Sequence, residues 1–303
     1  MENADLKILI VDDDEGDRKE VKRALKLLKP GCECVEAVSI TEALARLTET
    51  SFDAIMLDLG LGDVKGLDGV RAVIEQYPDI PVVILSAHND DETALSAVRH
   101  GAQEYLVKGH SGSRAIGLAV LSSIERKNYE RRLFKQANHD ELTGLANRRM
   151  FFDHMKQALL QASRWKCIEA IIFMDVQGFK SVNDTYGHDI GDELLVEISV
   201  RLRGALRSGD MLARYAGDEF IVHLDTNTHC SRQTCTIVAQ RIADAFLEPI
   251  TIGGHAVKAG VSVGIAFYPD NGKDTAELIQ SADAAMYEHK RSGKGACAFA
   301  VTK

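Results

Sequence analysis

A chain of 303 residues with 45% hydrophobic content implies about two domains of roughly 150 residues, each able to bury a core. No apolar run approaches the roughly 20 residues of a membrane span, and the acidic start Met1-Glu2-Asn3-Ala4-Asp5 lacks a signal peptide's basic and apolar regions, so a cytoplasmic chain with no membrane partner is expected. The net charge of −9 is uneven: residues 1–125 carry 13 Lys+Arg against 23 Asp+Glu, and residues 126–303 carry 23 against 22, which argues against a nucleic-acid partner because phosphate backbones need cations.

Lys7-Ile8-Leu9-Ile10-Val11 is a short apolar run ending in acids and reads as a buried parallel strand. Helical spacing follows over 17–28 and stops at Lys29-Pro30-Gly31. Ala54-Ile55-Met56-Leu57, Pro81-Val82-Val83-Ile84-Leu85 and Glu104-Tyr105-Leu106-Val107 are further buried strands, and this alternation implies a doubly wound parallel α/β sheet. The six cysteines (Cys32, Cys34, Cys167, Cys230, Cys235 and Cys297) include no Cys-x-x-Cys pair. Cys32 and Cys34 share one face of a strand, a spacing open to metal or redox chemistry, but scattered cysteines in a cytosolic chain favour reduced structural thiols.

Ser113–Asn138 reads as one long helix with no proline and a single Gly117. Ile116, Val120 and Ile124 form a short apolar stripe that fades before Phe134, which leaves two readings open: a solvated linker helix or a dimerising stalk. Beyond it, Arg148–Trp165 reads as a helix, 170–175 as a strand and 192–206 as a helix. Residues 211–215 and 220–224 pair as a hairpin across an acidic turn. A helix over 234–246, a strand or hairpin arm over 257–268 and a helix over 274–290 complete an α+β layer of helices on a largely antiparallel sheet. The domains expected are 1–125, a helical linker over 126–138, and 139–303.

In the first domain Asp12 and Asp13 end the first strand, Asp58 the third, Ser86 the fourth and Lys108 the fifth. Ligands in open α/β sheets bind beyond the carboxyl ends of the strands. Crowded carboxylates suit a divalent cation. A carboxylate there can attack phosphorus to form an acyl phosphate, and a hydroxyl and an ammonium can hold the new oxygens. On Ile8-Leu9-Ile10-Val11-Asp12-Asp13, Leu57-Asp58-Leu59, Leu85-Ser86-Ala87 and Tyr105-Leu106-Val107-Lys108, residues 5–125 resemble the receiver domain of two-component response regulators. The resemblance implies Asp58 as phosphoacceptor, Asp12, Asp13, Asp58 and the Gly60 carbonyl as ligands of Mg²⁺ or Mn²⁺, Ser86, Tyr105 and Lys108 as the phosphoryl switch, and a cognate histidine kinase or phosphotransfer protein as partner. Gly62 and Gly109 stand where the family usually has proline.

The second domain carries two acidic turns. Asp175 ends the apolar run Ala170-Ile171-Ile172-Phe173, and Asp218-Glu219 follow Gly217 between two strands. Carboxylates on strand ends suit divalent cations that work on phosphates. Asp140-Glu141-Leu142-Thr143-Gly144-Leu145-Ala146-Asn147-Arg148-Arg149, Asp175-Val176-Gln177-Gly178-Phe179-Lys180-Ser181-Val182-Asn183-Asp184, Ala216-Gly217-Asp218-Glu219-Phe220 and Ala282-Asp283-Ala284-Ala285-Met286-Tyr287-Glu288-His289-Lys290 form four ordered blocks. On these blocks residues 138–298 resemble the GGDEF domain of diguanylate cyclases.

That resemblance implies a homodimer that condenses two GTP into cyclic di-GMP. Asp175, the Val176 carbonyl, Asp218 and Glu219 would hold Mg²⁺ or Mn²⁺, with Asp218 and Glu219 also catalytic. Asn183 and Asp192 would read guanine, Phe179, Lys180, Lys290 and Lys294 would hold the triphosphate, and Gly217 would let the backbone approach. Arg207, nine residues ahead of the signature at Ala216, and Asp210 would form an inhibitory cyclic di-GMP site in place of a loop ion pair. Ala216 replaces the first signature glycine, Lys294-Gly295 an Arg-Asn pair, Gln177 a position often acidic and His289 one often alanine. The competing class is a non-catalytic GTP or cyclic di-GMP receptor; retention of Asp175, Asp218 and Glu219 argues against it. The remaining histidines, such as His139 and His188, have no metal-ligand spacing.

Overall fold

A computed structural model describes residues 6–64, 66–87, 91–224, 231–292 and 297–301. The chain divides into two units, Met1–Leu133 and Phe134–Lys303.

The first unit is a five-stranded parallel sheet of β1 (Lys7–Val11), β2 (Glu33–Ala37), β3 (Ala54–Asp58), β4 (Val82–Ser86) and β5 (Glu104–Val107), in the order β2-β1-β3-β4-β5. Its helices are α1 (Glu15–Leu28), α2 (Ile40–Glu49), α3 (Asp68–Gln76), α4 (Asp91–Arg99) and α5 (Ser113–Asn138). Strands buried on both faces explain the unbroken apolar runs. Ile8, Ile10, Met56 and Val83 pack on one face with Val21 and Leu25 of α1 and with Ile116, Val120 and Ile124 of α5. Leu9, Val11, Ile55, Leu57 and Ile84 pack on the other with α2, α3 and α4. Gly117 is where α5 crosses α1: a Cβ there would stand 3.0 Å from the Ala24 carbonyl oxygen and 2.8 Å from Leu28 Cδ1. Cys32 lies just before β2, and with Cys34 it packs into the α1/α5 side of the core. Burial pushes the Cys32 thiol pKa up to about 12, as fits a structural thiol.

The second unit holds α6 (Arg148–Trp165), β6 (Glu169–Gln177), α7 (Phe179–Tyr186), α8 (His188–Ala205), β7 (Met211–Ala216), β8 (Glu219–Leu224), α9 (Arg232–Asp244), β9 (Ile250–Ile252), β10 (His255–Val257), β11 (Gly260–Tyr268), α10 (Thr275–Ser292) and β12 (Ala298–Phe299). The main sheet runs β12-β11-β6-β8-β7, antiparallel except for the β11–β12 pair. Period-two alternation divides its two faces. Ile172, Met174, Val222 and Ile265 meet α8 and α9, while Ile171, Phe173, Ile221 and Ala266 meet α6 and α10. Gly264 permits the α10 contact, since a Cβ would run into the Ala282 carbonyl oxygen and the Met286 nitrogen.

Two expectations are corrected, and one short helix was not foreseen. The helix expected from Asp192 begins at His188, because Gly187, at a positive φ of 89 with ψ 167, turns the chain into it without a side-chain cap. The short helix α7 between that turn and β6 has only Phe179 and Val182 as apolar anchors, too few to show periodicity. The run 257–268 is interrupted: Val257 ends β10, which pairs with β9 through Gly253-Gly254, both at positive φ, and β11 starts at Gly260.

Candidate functional site

In the first unit the strand ends place Asp12, Asp13 and Asp58 together, each offering an oxygen within 4.8 Å of the others. Asp12 and Asp58 are buried and Asp13 is exposed. Lys108 Nζ reaches Asp12 Oδ2 at 2.8 Å, Asp17 Oδ2 at 2.7 Å and Asp58 Oδ2 at 3.1 Å. Burial acts to lower the Lys108 pKa, but the bonds to Asp12, Asp17 and Asp58 outweigh it and hold the ammonium above the usual lysine value. Asp12 moves upward despite that pairing, because its own burial is the larger effect. Three carboxylates this close fit a divalent cation, which would relieve their repulsion. Ser86 is buried at the end of β4, Tyr105 is half-buried on β5, and Gly60 lies two residues past Asp58. Gly109 adopts φ +75, a conformation closed to the proline usual in the family. Asp17 was not among the residues singled out from sequence; it reaches Lys108 because it lies in the first turn of α1, which starts just past the end of β1.

In the second unit β6 and β8 run antiparallel with Asp175 opposite Glu219, and Val176 N–H donates to the Asp218 carbonyl at 3.2 Å. Register therefore brings Asp175, Asp218 and Glu219 to one end of two central strands. Asp175 Oδ1 accepts from Lys290 Nζ at 2.6 Å. Burial raises the Asp218 pKa, and Asp175 adds to it. Burial also raises that of Glu219, helped by Asp283, Asp175 and Asp218, with Lys290 opposing. These acids are more widely spaced than the first unit's trio, the only such set within 4.8 Å among the described residues. Mutual repulsion of half-buried carboxylates on neighbouring strands is nonetheless the chemistry a cation resolves.

Beside the acids, the N-terminus of α7 has no side-chain cap, leaving the Phe179 and Lys180 N–H groups for an anion. Asn183 Oδ1 is buried without a hydrogen-bond partner, an orphan acceptor awaiting a donor. It lies against Gly191, where a Cβ would collide with that oxygen. Asp192, exposed on α8, borders a cleft of about 370 Å³ with Leu142, Val196, Thr251 and Gly253. The β9–β10 hairpin that closes this cleft was not foreseen. Gly217, at φ +50 with open space around its missing Cβ, makes the turn. Arg207 is exposed while Asp210 is 7% exposed; the Asp210 carboxylate accepts the Arg207 backbone N–H at 2.9 Å and shapes that turn. Lys294 lies outside the described residues.

Further contacts went unassigned in the sequence. Arg214 Nη1 donates to both Asp140 oxygens, at 3.0 and 3.2 Å, and its Nε donates to the Gly217 carbonyl at 2.9 Å. This ties the turn before α6 to the acidic hairpin. The buried His289 ring accepts the Val263 N–H at 3.1 Å, which ties the end of α10 to β11. The His139 ring bonds the Gly144 carbonyl at 3.1 Å, and no described helix is long and apolar enough to cross a membrane.

The family model "Diguanylate cyclase, GGDEF domain" matches residues 137–296, and "Response regulator receiver domain" matches residues 8–128. The chain is 41% identical over 181 residues to the bifunctional diguanylate cyclase/cyclic di-GMP phosphodiesterase MucR of Pseudomonas aeruginosa, covering 59% of this chain and 26% of that protein. It is 40% identical over 164 residues to the diguanylate cyclase TpbB of Pseudomonas aeruginosa, covering 54% and 37%. The chain thus spans about a quarter to a third of the length of these curated relatives. A solved structure comprising only the TpbB GGDEF domain superposes with a TM-score of 0.51 at 38% identity, covering 54% of this chain and 94% of that one.

Proposed function

The chain belongs to the diguanylate cyclase GGDEF-domain family and carries a response-regulator receiver domain ahead of that domain; from this premise we propose that it is a phosphorylation-regulated cyclase. It joins two GTP, one on each subunit of a homodimer, into cyclic di-GMP with release of two pyrophosphates. The observation that carries this reading is the meeting of Asp175, Asp218 and Glu219 beside the uncapped start of α7 and the orphan oxygen of Asn183.

Asn183 and Asp192 accept hydrogen bonds from the guanine edge, a pattern adenine does not offer. The Phe179 and Lys180 amides and the Lys290 ammonium hold the triphosphate, Lys290 leaving Asp175 to do so. A divalent cation held by Asp175, Asp218, Glu219 and the Val176 carbonyl would offset charge on the attacking hydroxyl and the leaving pyrophosphate, and one held by Asp12, Asp13, Asp58 and the Gly60 carbonyl would offset charge on a phosphoryl group at Asp58. In the receiver Asp58 is the phosphoacceptor, Lys108 pairs with the added oxygens, and Ser86 and Tyr105 transmit the change. A cognate kinase or phosphotransfer protein supplies the phosphoryl group. Tyr129, Leu133 and Phe134 stay 61%, 47% and 62% exposed on α5, an apolar surface that supports the dimerising-stalk reading.

The test is incubation of the purified chain with GTP and Mg²⁺, with and without a phosphoryl donor, with the products identified. Cyclic di-GMP and pyrophosphate are expected. Asp218→Asn is expected to cut turnover by about 100-fold or more, near 2.7 kcal/mol of barrier, with an unchanged thermal midpoint. GTP binding without any turnover would replace this reading by that of a non-catalytic receptor.

A further inference from the structure

The β7 side of the acidic hairpin carries a second, basic cavity whose lining, Gly217 apart, none of these roles uses. Its volume is about 730 Å³, and its walls include Arg148, Arg149, Arg214, Tyr215, Ala216 and Gly217. Two of its three guanidiniums are already held in place. Arg214 is fixed by Asp140 and the Gly217 carbonyl. Arg148 lies over the Tyr215 ring at 4.7 Å and the Phe152 ring at 5.6 Å. Arg149 is exposed and has no hydrogen-bond or ion-pair partner among the described residues. Of the lining residues only Asp140 is acidic, so the cavity keeps an excess of positive charge. Planar guanidinium forks in a concave site match phosphate oxygens two at a time.

The position of the cavity narrows the ligand further. β7 is the outer strand of β12-β11-β6-β8-β7, so the cavity flanks the hairpin on one side while Asp175 of β6 and Lys290 stand on the other. A nucleotide bound at Asn183 and the start of α7 uses the Asp175 side. The condensation of the preceding subsection, on which this inference rests, brings a second triphosphate to the same hairpin. Two triphosphates repel unless each meets its own cations. Above Gly217 there is open space, so an anion in the cavity reaches the turn residue next to Asp218.

We propose that this cavity is a second phosphate-binding subsite, which takes the polyphosphate of the nucleotide carried by a second copy of the chain. Arg149 supplies the free fork, Arg148 a second one held over two aromatic rings, and Arg214, paired with Asp140 and Gly217, only its Nη2 donors.

The full-length chain, its Arg149→Ala variant and its Arg149→Lys variant are compared in two assays. One is calorimetric titration with 3′-deoxy-GTP, which lacks the nucleophilic hydroxyl and so binds without condensing. The other is steady-state turnover of saturating GTP. The expected result is one binding step per chain, retained within threefold in Arg149→Ala, with turnover more than tenfold below wild type and partly restored by lysine. Turnover within tenfold of wild type overturns the subsite. Binding that falls in step with turnover overturns it too, by giving Arg149 to the subunit's own nucleotide. A second binding step lost in the variant gives the cavity to free nucleotide and overturns the second-copy source. Should the alanine variant not fold, the lysine variant decides: a fork-dependent subsite leaves it folded but slowed, and full turnover overturns the inference. Wild-type protein without turnover sinks the cyclase reading itself, a result distinct from an active wild type with an unaffected variant.

Discussion

At Asp140 one carboxylate organises the approach to the acidic hairpin, and its protonation has a defined effect on stability. Burial acts to raise its pKa, but hydrogen bonds from Thr143 and Arg214 outweigh this and hold it below its ordinary 3.8. A depressed carboxylate pKa contributes stability above the unfolded pKa and loses it as pH falls through the folded one. Asp140→Asn is therefore expected to destabilise the second unit by about 1–3 kcal/mol near neutrality. The gap from wild type should stay constant down to about pH 5 and narrow below about pH 4, as seen in thermal unfolding across pH. A gap unchanged at low pH would assign Asp140 a steric role. Arg207 makes a second case. Its backbone is fixed by Asp210 while its side chain faces solvent. Arg207→Ala is expected to weaken inhibition by added cyclic di-GMP and to leave initial velocity within about tenfold, or about 1.4 kcal/mol. Unaltered inhibition would leave the pair as a turn-forming contact only.

Among the elements, the contact of α10 with β11 sets where Lys290 stands. Gly264 in β11 pairs with Phe173 of β6 and Ala298 of β12, and α10 lies directly over it. An added methyl meets backbone, which cannot rotate away as a flexible side chain can. Gly264→Ala is expected to cost about 3 kcal/mol in the second unit. Urea unfolding of the full chain checks this: the transition of the second unit should move to lower urea and that of the first unit stay in place. A shift under about 0.5 kcal/mol would mean that α10 slides freely on the sheet. His289 adds a polar tie between the same elements, through the Val263 amide.

For the whole molecule the two units divide the labour: a parallel sheet with an acidic pocket at its strand ends, and an antiparallel sheet with an acidic hairpin. Asp58→Asn is expected to abolish any rise in turnover or dimer content caused by acetyl phosphate or beryllofluoride, because an amide forms no acyl phosphate. The basal rate and the fold should remain. An undiminished response in the variant would place the acceptor elsewhere or remove control by the receiver.

Sequence alone determined the elements whose cores are long or periodic. β1, β3 and β4 are unbroken apolar runs because both sheet faces are covered, and α5 and α6 match their expected spans of Ser113–Asn138 and Arg148–Trp165. Asp12, Asp13, Asp58 and Lys108 were legible because strand ends in an open sheet converge. Asp175, Asp218 and Glu219 were legible because Asp175 closes an apolar run two residues before the end of β6 and Asp218-Glu219 follow the turn into β8. The tertiary structure decided what depends on partners distant in the chain. The Asp17 bond to Lys108 spans 91 positions, and the Arg214 pair with Asp140 spans 74. The α7 helix and the β9–β10 hairpin are too short to carry a period, yet they frame the orphan Asn183 oxygen and the cleft at Asp192. A run of residues encodes its own burial pattern, whereas a charge encodes only its need for a partner; which partner arrives is set by how the layers pack.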